Sequence, residues 1–355
     1  MNIYLPTLIY SEKDCVKKHS KELAVAGKKA FIITGKHSSR VNGSLKDVTD
    51  VLDSVGREYV IFDDIEENPS VETVMKARTI GINEKVDYVI GIGGGSPLDA
   101  CKAIAMMIAN PTEDEKVLYE SKMLRALPVI TVPTTAGTGS EVTPYAILTL
   151  HESRTKKSIS HKIYPVMALI DYKYLKTQSK NILINTAVDA LAHLVESYLN
   201  TNANELNRVY SSQGLMLFGE IKNRLENPDD EVYSKLSNIA MIAGMAISHT
   251  GTSLPHGLSY AITYELGVPH GKAVGLFLGG YVKLYKNREV SAKVLEFLGF
   301  KSYDELSDYL GALLGKIDIP DELILNNAKM ISENKAKLKN YPFDVTVGEI
   351  VALFG

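Results

Sequence analysis

The pattern of hydrophobic and polar positions changes about half-way along the chain. In the first half, β-rich runs such as KKAFIITG, EYVIFDDI, VDYVIGIGGGS and LPVITVPTT alternate with helical patterns. Strands separated by helices favour right-handed crossovers and a largely parallel sheet. VMALIDYKYL is the last such run, and beyond about residue 180 helical periodicity dominates. The pattern predicts a Rossmann-like α/β domain over residues 1–181, followed by an all-α domain over residues 182–355.

Composition narrows the classes of partner. The 355 residues carry 39 basic and 42 acidic side chains, so nothing electrostatic favours nucleic acid or an anionic membrane. Cys15 and Cys101 are far apart, which argues against a disulfide framework or a cysteine-based zinc site. The N-terminal segment has no signal-peptide pattern, and no apolar run approaches the roughly 20 residues that cross a bilayer. We expect a cytoplasmic protein whose partners are small molecules and copies of itself.

Four possible metal ligands stand inside apolar stretches of the helical half. Asp189 and His193 are separated by one helical turn in TAVDALAHLVESYL, so they share one face of a helix. His256 in GTSLPHGLSY and His270 in GVPHGKAVGLFL are each followed by glycine. Three imidazoles and a carboxylate without cysteine suit Fe(II), Zn(II) or Mn(II). If the four side chains converge, the protein is a metalloenzyme; taken singly, each is more simply a hydrogen-bonded structural residue.

A glycine-rich turn predicts a phosphate site in the first half. Strand-like residues run into Gly93, Gly94 and Gly95, and Ser96 is a candidate N-cap for the helix that follows. Backbone N–H groups at a helix N-terminus can bind a pyrophosphate. The spacing is not G-x-G-x-x-G, because Ser96 replaces the last glycine, and a tight structural turn remains an equal alternative. A second loop, TVPTTAGTGSEVTPYAIL, concentrates hydroxyl groups after another β run and favours the nucleotide interpretation.

The turn after KKAFIITG bears on the choice of cofactor. NAD(H) enzymes usually place a carboxylate there for the ribose 2′-hydroxyl, whereas a 2′-phosphate needs small, hydroxyl and basic groups. This turn offers Gly35, Lys36, Ser38, Ser39 and Arg40, with no acid in sequence until Asp47. The turn predicts NADP(H) over NAD(H); the alternative is that Lys36 and Arg40 are only exposed surface charges.

Together, IGGGSPLDACKAIA, VPTTAGTGSEVTPYAILT, AVDALAHLVESYL and LPHGLSYAITYELGVPHGKAVG resemble the iron-containing (group III) alcohol dehydrogenases, in order across residues 28–285. The resemblance implies a fold like that of the dehydroquinate synthases, with a dinucleotide-binding domain and a helical metal domain. It implies hydride transfer between a primary alcohol or diol and its aldehyde with NADP(H) or NAD(H). It also implies iron(II), with zinc(II) as the alternative, and a homodimer in which MNIYLPTLIY is a candidate edge strand.

The resemblance also assigns residues. The family's metal ligands carry onto Asp189, His193, His256 and His270. Its cofactor contacts carry onto Gly94, Gly95, Ser96, Asp99, Thr134, Thr135 and Thr138, onto Asn68, and onto Lys157 or its neighbour Lys156. One departure concerns proton transfer: Tyr260 stands where many members have a further histidine.

Three rival interpretations remain open. A 3-dehydroquinate synthase-like enzyme would need basic residues beside the ligands, but segments 185–200 and 247–271 contain neither Lys nor Arg. A glycerol dehydrogenase-like enzyme shares the fold, but the presence of His193 argues against this interpretation. A catalytically silent dinucleotide-binding protein is the third alternative, and the intact ligand set argues against it.

Overall fold

The computed structural model of the protein describes residues 3–152 and 155–354. The chain forms two compact units: Leu5–Gln178, and the chain from Ser179 onward together with the segment that ends at Tyr4. None of the helices in these described ranges is both long enough and apolar enough to cross a bilayer.

The first unit is built on a six-stranded parallel sheet, as the sequence predicts. The strands of the chain are β1 Leu8–Ser11, β2 Lys29–Thr34, β3 Glu58–Phe62, β4 Tyr88–Gly93, β5 Val129–Pro133, β6 Ile147–Leu150, β7 Thr155–Ser158 and β8 Met167–Ile170. The sheet order is β1-β8-β5-β4-β2-β3, and the central pairs put Ile32 beside Ile90 and Ile90 beside Ile130. The segment MNIYLPTLIY does supply an edge strand, although Met1 and Asn2 lie outside the described residues.

Both faces of this sheet are covered, which explains why the central strands are apolar throughout. The helices of the first unit are α1 Cys15–Lys18, α2 Ser20–Ala24, α3 Ser38–Val41, α4 Ser44–Ser54, α5 Val71–Asn83 and α6 Gly95–Ala109. Phe31 and Val89 pack with α5 and α6 on one face, whereas Ile32 and Ile90 pack with α4 on the other. The sequence did not predict β6 and β7, a separate antiparallel pair in which Leu148 lies opposite Lys157.

The second unit is helical, as predicted. Its helices are α7 Lys180–Tyr198, α8 Glu205–Ile221, α9 Asp230–Thr250, α10 Leu254–Leu266, α11 His270–Leu284, α12 Arg288–Leu298, α13 Tyr303–Leu314, α14 Asp321–Glu333, α15 Lys335–Leu338 and α16 Val347–Val351. Helix α7 begins at a Ser179 cap, whose hydroxyl accepts a bond from the Ile182 N–H. From residue 187 to residue 198 every position of α7 is buried. Because this part of α7 is enclosed on all sides, its polar side chains face other protein groups rather than water.

Candidate metal centre and nucleotide loops

Three helices bring the four predicted ligands into one place. Asp189 and His193 stand one turn apart in the buried middle of α7. His256 lies in the first turn of α10, and His270 is the first residue of α11. The N-terminus of α11 packs very closely on α7, since a Cβ added at Gly271 would lie only 1.8 Å from the backbone oxygen of Asn185. Glycine at this position therefore allows His270 to approach the turn that carries Asp189.

The ligating atoms converge on one carboxylate oxygen. Asp189 Oδ1 lies 3.3 Å from His256 Nε2, 3.7 Å from His270 Nε2 and 4.0 Å from His193 Nε2. Donors that share a four-coordinate ion at about 2.1 Å lie roughly 3.4 Å apart. Ligating atoms of Asp189, His256 and His270 all lie within 4.8 Å of one another, and the His193 ring stacks on His256 at 4.4 Å between centroids.

The polar atoms at the centre of this cluster support a fit to a cation. Asp189 Oδ1 and His256 Nε2 are buried and face each other, yet neither makes a hydrogen bond within the described part of the chain. Burial would raise the pKa of Asp189, but the neighbouring imidazoles, led by His193, lower it well below its ordinary value. Burial opposes a charge on His256, but Glu196 and Asp189 raise its pKa to about 10. The centre is thus arranged to hold positive charge beside the Asp189 carboxylate.

One residue in direct contact with the cluster was missed by the sequence reasoning. Glu196 is completely buried, and its carboxylate contacts His256 Nδ1. The available signal was spacing: Glu196 follows Asp189 by seven residues and therefore returns to the same face of α7. A charged residue in such an apolar helix indicates a buried partner.

The cluster opens toward solvent on the side of His270. The His270 side chain is 29% exposed, against 5% for Asp189 and 3% for His256. Tyr260 stacks on the His270 ring, with 5.8 Å between centroids and 15° between planes. The residue that replaces the expected histidine therefore lies at the open side of the cluster.

Except for Asn68, which follows β3, and Lys157 of β7, the predicted nucleotide residues lie after the carboxyl ends of three adjacent strands, β5, β4 and β2. The loops after β4 and β5 pack against each other: a Cβ at Gly94 would lie 3.1 Å from Thr135, and one at Gly95 would lie 2.6 Å from Thr138. The Thr134 N–H donates to the Gly93 carbonyl at 2.8 Å. In open α/β sheets this edge is where ligands bind.

The start of α6 differs from the prediction. The N-cap is Gly94 in an extended conformation, so Ser96 belongs to the first turn rather than to the cap. The Ser96 hydroxyl instead accepts a bond from the backbone N–H of Asn68 at 3.0 Å. The Asn68 side-chain oxygen accepts from Lys156 Nζ at 2.6 Å. Of the two candidate lysines, Lys156 therefore lies beside Asn68, whereas Lys157 lies over the Tyr119 ring on the opposite side of β7.

Asp99 accepts hydrogen bonds from other groups of the protein. One of its carboxylate oxygens accepts from the Ser140 hydroxyl, and the other accepts from the Ile147 N–H at 2.9 Å. Lys102, fully buried one turn later, donates to Ser140 Oγ at 2.7 Å and to the Tyr145 carbonyl at 2.8 Å. These bonds attach α6 to the segment before β6.

The turn after β2 also differs in one respect from its prediction. Lys36, Ser38 and Arg40 are exposed, but Ser39 is fully buried. Carboxylates reach this turn from the end of β3. Arg40 pairs with Asp63 at 2.7 Å, while Asp64 pairs with Lys36 at 2.9 Å and with Lys76 of α5 at 2.7 Å. Acids close in space but distant in sequence thus accompany the basic residues.

Family models of known proteins match both halves of the chain. The family model described as iron-containing alcohol dehydrogenase matches residues 6–172, and the model of the C-terminal region of the Fe-containing alcohol dehydrogenase family matches residues 183–340. The chain is similar to a crystal structure of an iron-containing alcohol dehydrogenase from Thermotoga maritima, with a TM-score of 0.94 and 35% identity over 99% of this chain and 98% of that one.

Two curated relatives differ in how much of their length the chain spans. NADPH-dependent butanol dehydrogenase from Clostridium saccharobutylicum is 26% identical over 91% of this chain and 86% of its own length. Aldehyde-alcohol dehydrogenase 2 from Entamoeba histolytica is 28% identical over 93% of this chain, but the chain spans only 39% of that protein. The similarity to the second relative therefore concerns one part of a longer polypeptide.

Proposed function

This chain belongs to the iron-containing alcohol dehydrogenase family, and we propose that it interconverts a primary alcohol or diol and its aldehyde by hydride transfer with a nicotinamide cofactor. The observation that carries the proposal is the convergence of three imidazoles on Asp189 Oδ1. A carboxylate and three imidazoles at this spacing suit a divalent ion. Because both halves of the chain match the family, an alcohol or carbonyl oxygen is the expected substrate group.

In this proposal, Asp189, His193, His256 and His270 hold the ion. When bound, a divalent ion polarises the substrate oxygen as a Lewis acid, and the nicotinamide accepts or donates the hydride. The proton of the alcohol needs an acceptor on the exposed side of the cluster. Tyr260 is the candidate, since its ring stacks on His270 there. The family name and the ligand types support iron(II), with zinc(II) as the alternative.

We assign nucleotide binding to residues 1–181, and metal and substrate binding to residues 182–355. The N–H groups around Gly94 and Gly95 at the start of α6 would bind the pyrophosphate. Thr134, Thr135 and Thr138 line the facing loop, and Ser96 is held by Asn68. Lys156 replaces Lys157 as the candidate ribose contact, because it lies beside Asn68.

The turn at Gly35 supports NADP(H) over NAD(H). Gly35 has no side chain to meet a 2′-phosphate, and Lys36, Ser38 and Arg40 are exposed beside it. Three cations in this region face two carboxylates, Asp63 and Asp64. Exposed ion pairs contribute only about 0–1 kcal/mol each, so a phosphate dianion can displace a carboxylate from Arg40.

We also propose a homodimer and a cytoplasmic location. Among the described residues, β1 pairs only with β8, so one side of this edge strand is open to a second copy in a homodimer. A cytoplasmic location is the prediction that composition favours.

The test is elemental analysis of anaerobically purified protein, coupled to oxidation of NADPH and NADH across short aldehydes, ketones and diol-derived aldehydes. We expect stoichiometric iron or zinc and faster NADPH than NADH oxidation. Phosphate release from a phosphorylated substrate without net NADPH consumption would instead indicate a synthase. Tight NADPH binding without metal or turnover would indicate a silent binding protein.

A further inference from the structure

The side chain of Glu196 connects two helices that carry candidate ligands, α7 and α10. It lies on α7, three residues after His193 and seven after Asp189, and it is completely buried. A buried carboxylate is costly unless its oxygens are hydrogen-bonded. The partners of Glu196 therefore show what it does.

Both oxygens of Glu196 contact the first turn of α10. Oε1 accepts from the backbone N–H of Ser253 at 2.9 Å and from that of His256 at 3.2 Å. Helix N-termini leave such N–H groups unpaired, and the side chain of the N-cap residue, Ser253, makes no capping bond. Glu196 thus caps α10 from another helix, with its negative charge at the positive end of the helix dipole.

The second oxygen determines which nitrogen of His256 carries the proton. Oε2 contacts Nδ1 of the ring, and a carboxylate can only accept, so Nδ1 must donate. The other nitrogen, Nε2, lies 3.3 Å from Asp189 Oδ1. It is the nitrogen that would offer its lone pair to an ion once its own proton is displaced. One side chain therefore fixes the backbone, the ring orientation and the tautomer of the same histidine.

We propose that Glu196 is a positioning residue that sets the affinity of the centre for its divalent ion by fixing His256 in the ligating tautomer. The proposal rests on the proposed function, since it concerns the same metal. It separates two roles of Glu196: capping α10, which concerns stability, and orienting the imidazole, which concerns the ion.

Glu196→Gln separates these roles. The two backbone N–H donors require the carbonyl oxygen of the new amide to face them, so the cap is retained. The amide nitrogen then faces Nδ1 of His256 and donates to it, which leaves the proton on Nε2 and removes the lone pair from the centre. Glu196→Asp keeps the charge with a shorter reach, and Glu205→Gln on the exposed start of α8 is the matched control.

The experiment removes metal with a chelator and titrates the apoprotein with Zn²⁺ against a chromogenic competitor, and with Co²⁺ to record its visible spectrum. Wild type and E205Q should bind alike, E196Q should bind Zn²⁺ roughly 10 to 100-fold more weakly, and E196D should fall between them. The Co²⁺ spectrum of E196Q should change, while its apoprotein melts close to wild type.

Wild-type Zn²⁺ affinity in E196Q, together with a lowered melting temperature of the apoprotein, would overturn the positioning role. Glu196 would then serve only as a cap for α10. If E196Q does not fold, wild-type affinity in E196D would overturn the role equally. If wild type binds neither ion, the proposed function fails with it; if wild type binds and E196Q binds equally, only the role of Glu196 fails.

Discussion

The metal centre offers side chains for binding, whereas the nucleotide loops offer mainly backbone groups. In the helical unit, three imidazoles from three helices lie within 4.0 Å of one oxygen of Asp189. In the α/β unit, glycines and backbone groups form the strand ends, and side chains such as Asp99 and Ser140 bond to each other. Loss of one side chain should therefore disrupt metal binding in the first region. In the second region, nucleotide binding should be disrupted when the backbone is displaced.

The largest effect is expected at the metal centre. His256→Ala removes one ligand and leaves Glu196 without its imidazole partner, so metal and activity should be lost together. We expect turnover to fall at least about 1000-fold, because metal polarisation contributes several kcal/mol to the transition state. Elemental analysis and aldehyde reduction check this, with His151→Ala on the exposed surface as control. An active H256A variant without metal would refute the ligand assignment.

Backbone approach matters in the helical unit too, and Gly271 tests how much. Gly271→Ala would drive a methyl group into the Asn185 carbonyl, so α11 must move away from α7. We expect a loss of about 3 kcal/mol in the free energy of unfolding, together with weaker Zn²⁺ binding. Gly311→Ala is the matched control, because a Cβ there meets nothing within 4 Å. Unchanged urea unfolding and metal affinity in G271A would show that the close packing is not required.

The α/β unit contains a carboxyl group whose burial makes stability depend on pH. Burial raises the pKa of Glu141 to about 7, although its own backbone N–H and Lys102 oppose the shift. A raised pKa in the folded protein favours the protonated form, so stability is complete below pH 4.5 and is lost as pH rises through 7. The loss reaches about 3 kcal/mol.

Glu141→Gln should therefore unfold at higher urea concentration than wild type at pH 8, with the advantage shrinking toward pH 4.5. Glu120→Gln, on the exposed surface, should show no such trend. A constant difference between E141Q and wild type across this range would contradict the assignment of the pH dependence to Glu141.

The smallest effect concerns cofactor choice. Arg40→Gln should lower kcat/KM for NADPH roughly tenfold with little change for NADH, since a hydrogen bond to a charged group contributes about 1.5 kcal/mol. Asp63→Asn releases Arg40 from its carboxylate and should shift the ratio slightly the other way. Steady-state kinetics with both cofactors measure this, with Lys46→Gln on α4 as control. Equal or better efficiency with NADH in wild type would remove the basis for the NADP(H) proposal.

Periodicity was enough to predict the sheet, its helices and the all-α second half, because continuous apolar runs and helical spacing are local properties of the chain. The position of Asp189 relative to His193 was likewise readable, since one helix fixes it. Long-range pairing was not: nothing near Arg40 in sequence indicates Asp63, and nothing near Asp99 indicates Ser140.

The β6–β7 pair was missed for a related reason. Its second strand, TKKS, contains no apolar residue, so no alternation of hydrophobic and polar positions marks it as a strand. Glu196 was missed although its spacing on α7 was visible, because only α10 shows what its carboxylate binds.

The uneven exposure of the ligands has a kinetic consequence. Asp189 and His256 are enclosed, so an ion at this centre would exchange with the surroundings across His270, which is the exposed member. Affinity and exchange rate would then be governed by different residues: the enclosed ligands set how tightly the ion is held, and His270 with Tyr260 sets how quickly it leaves or meets an oxidant. Substitutions around His270 would change the working lifetime of the protein in air before they change how much metal it holds at equilibrium.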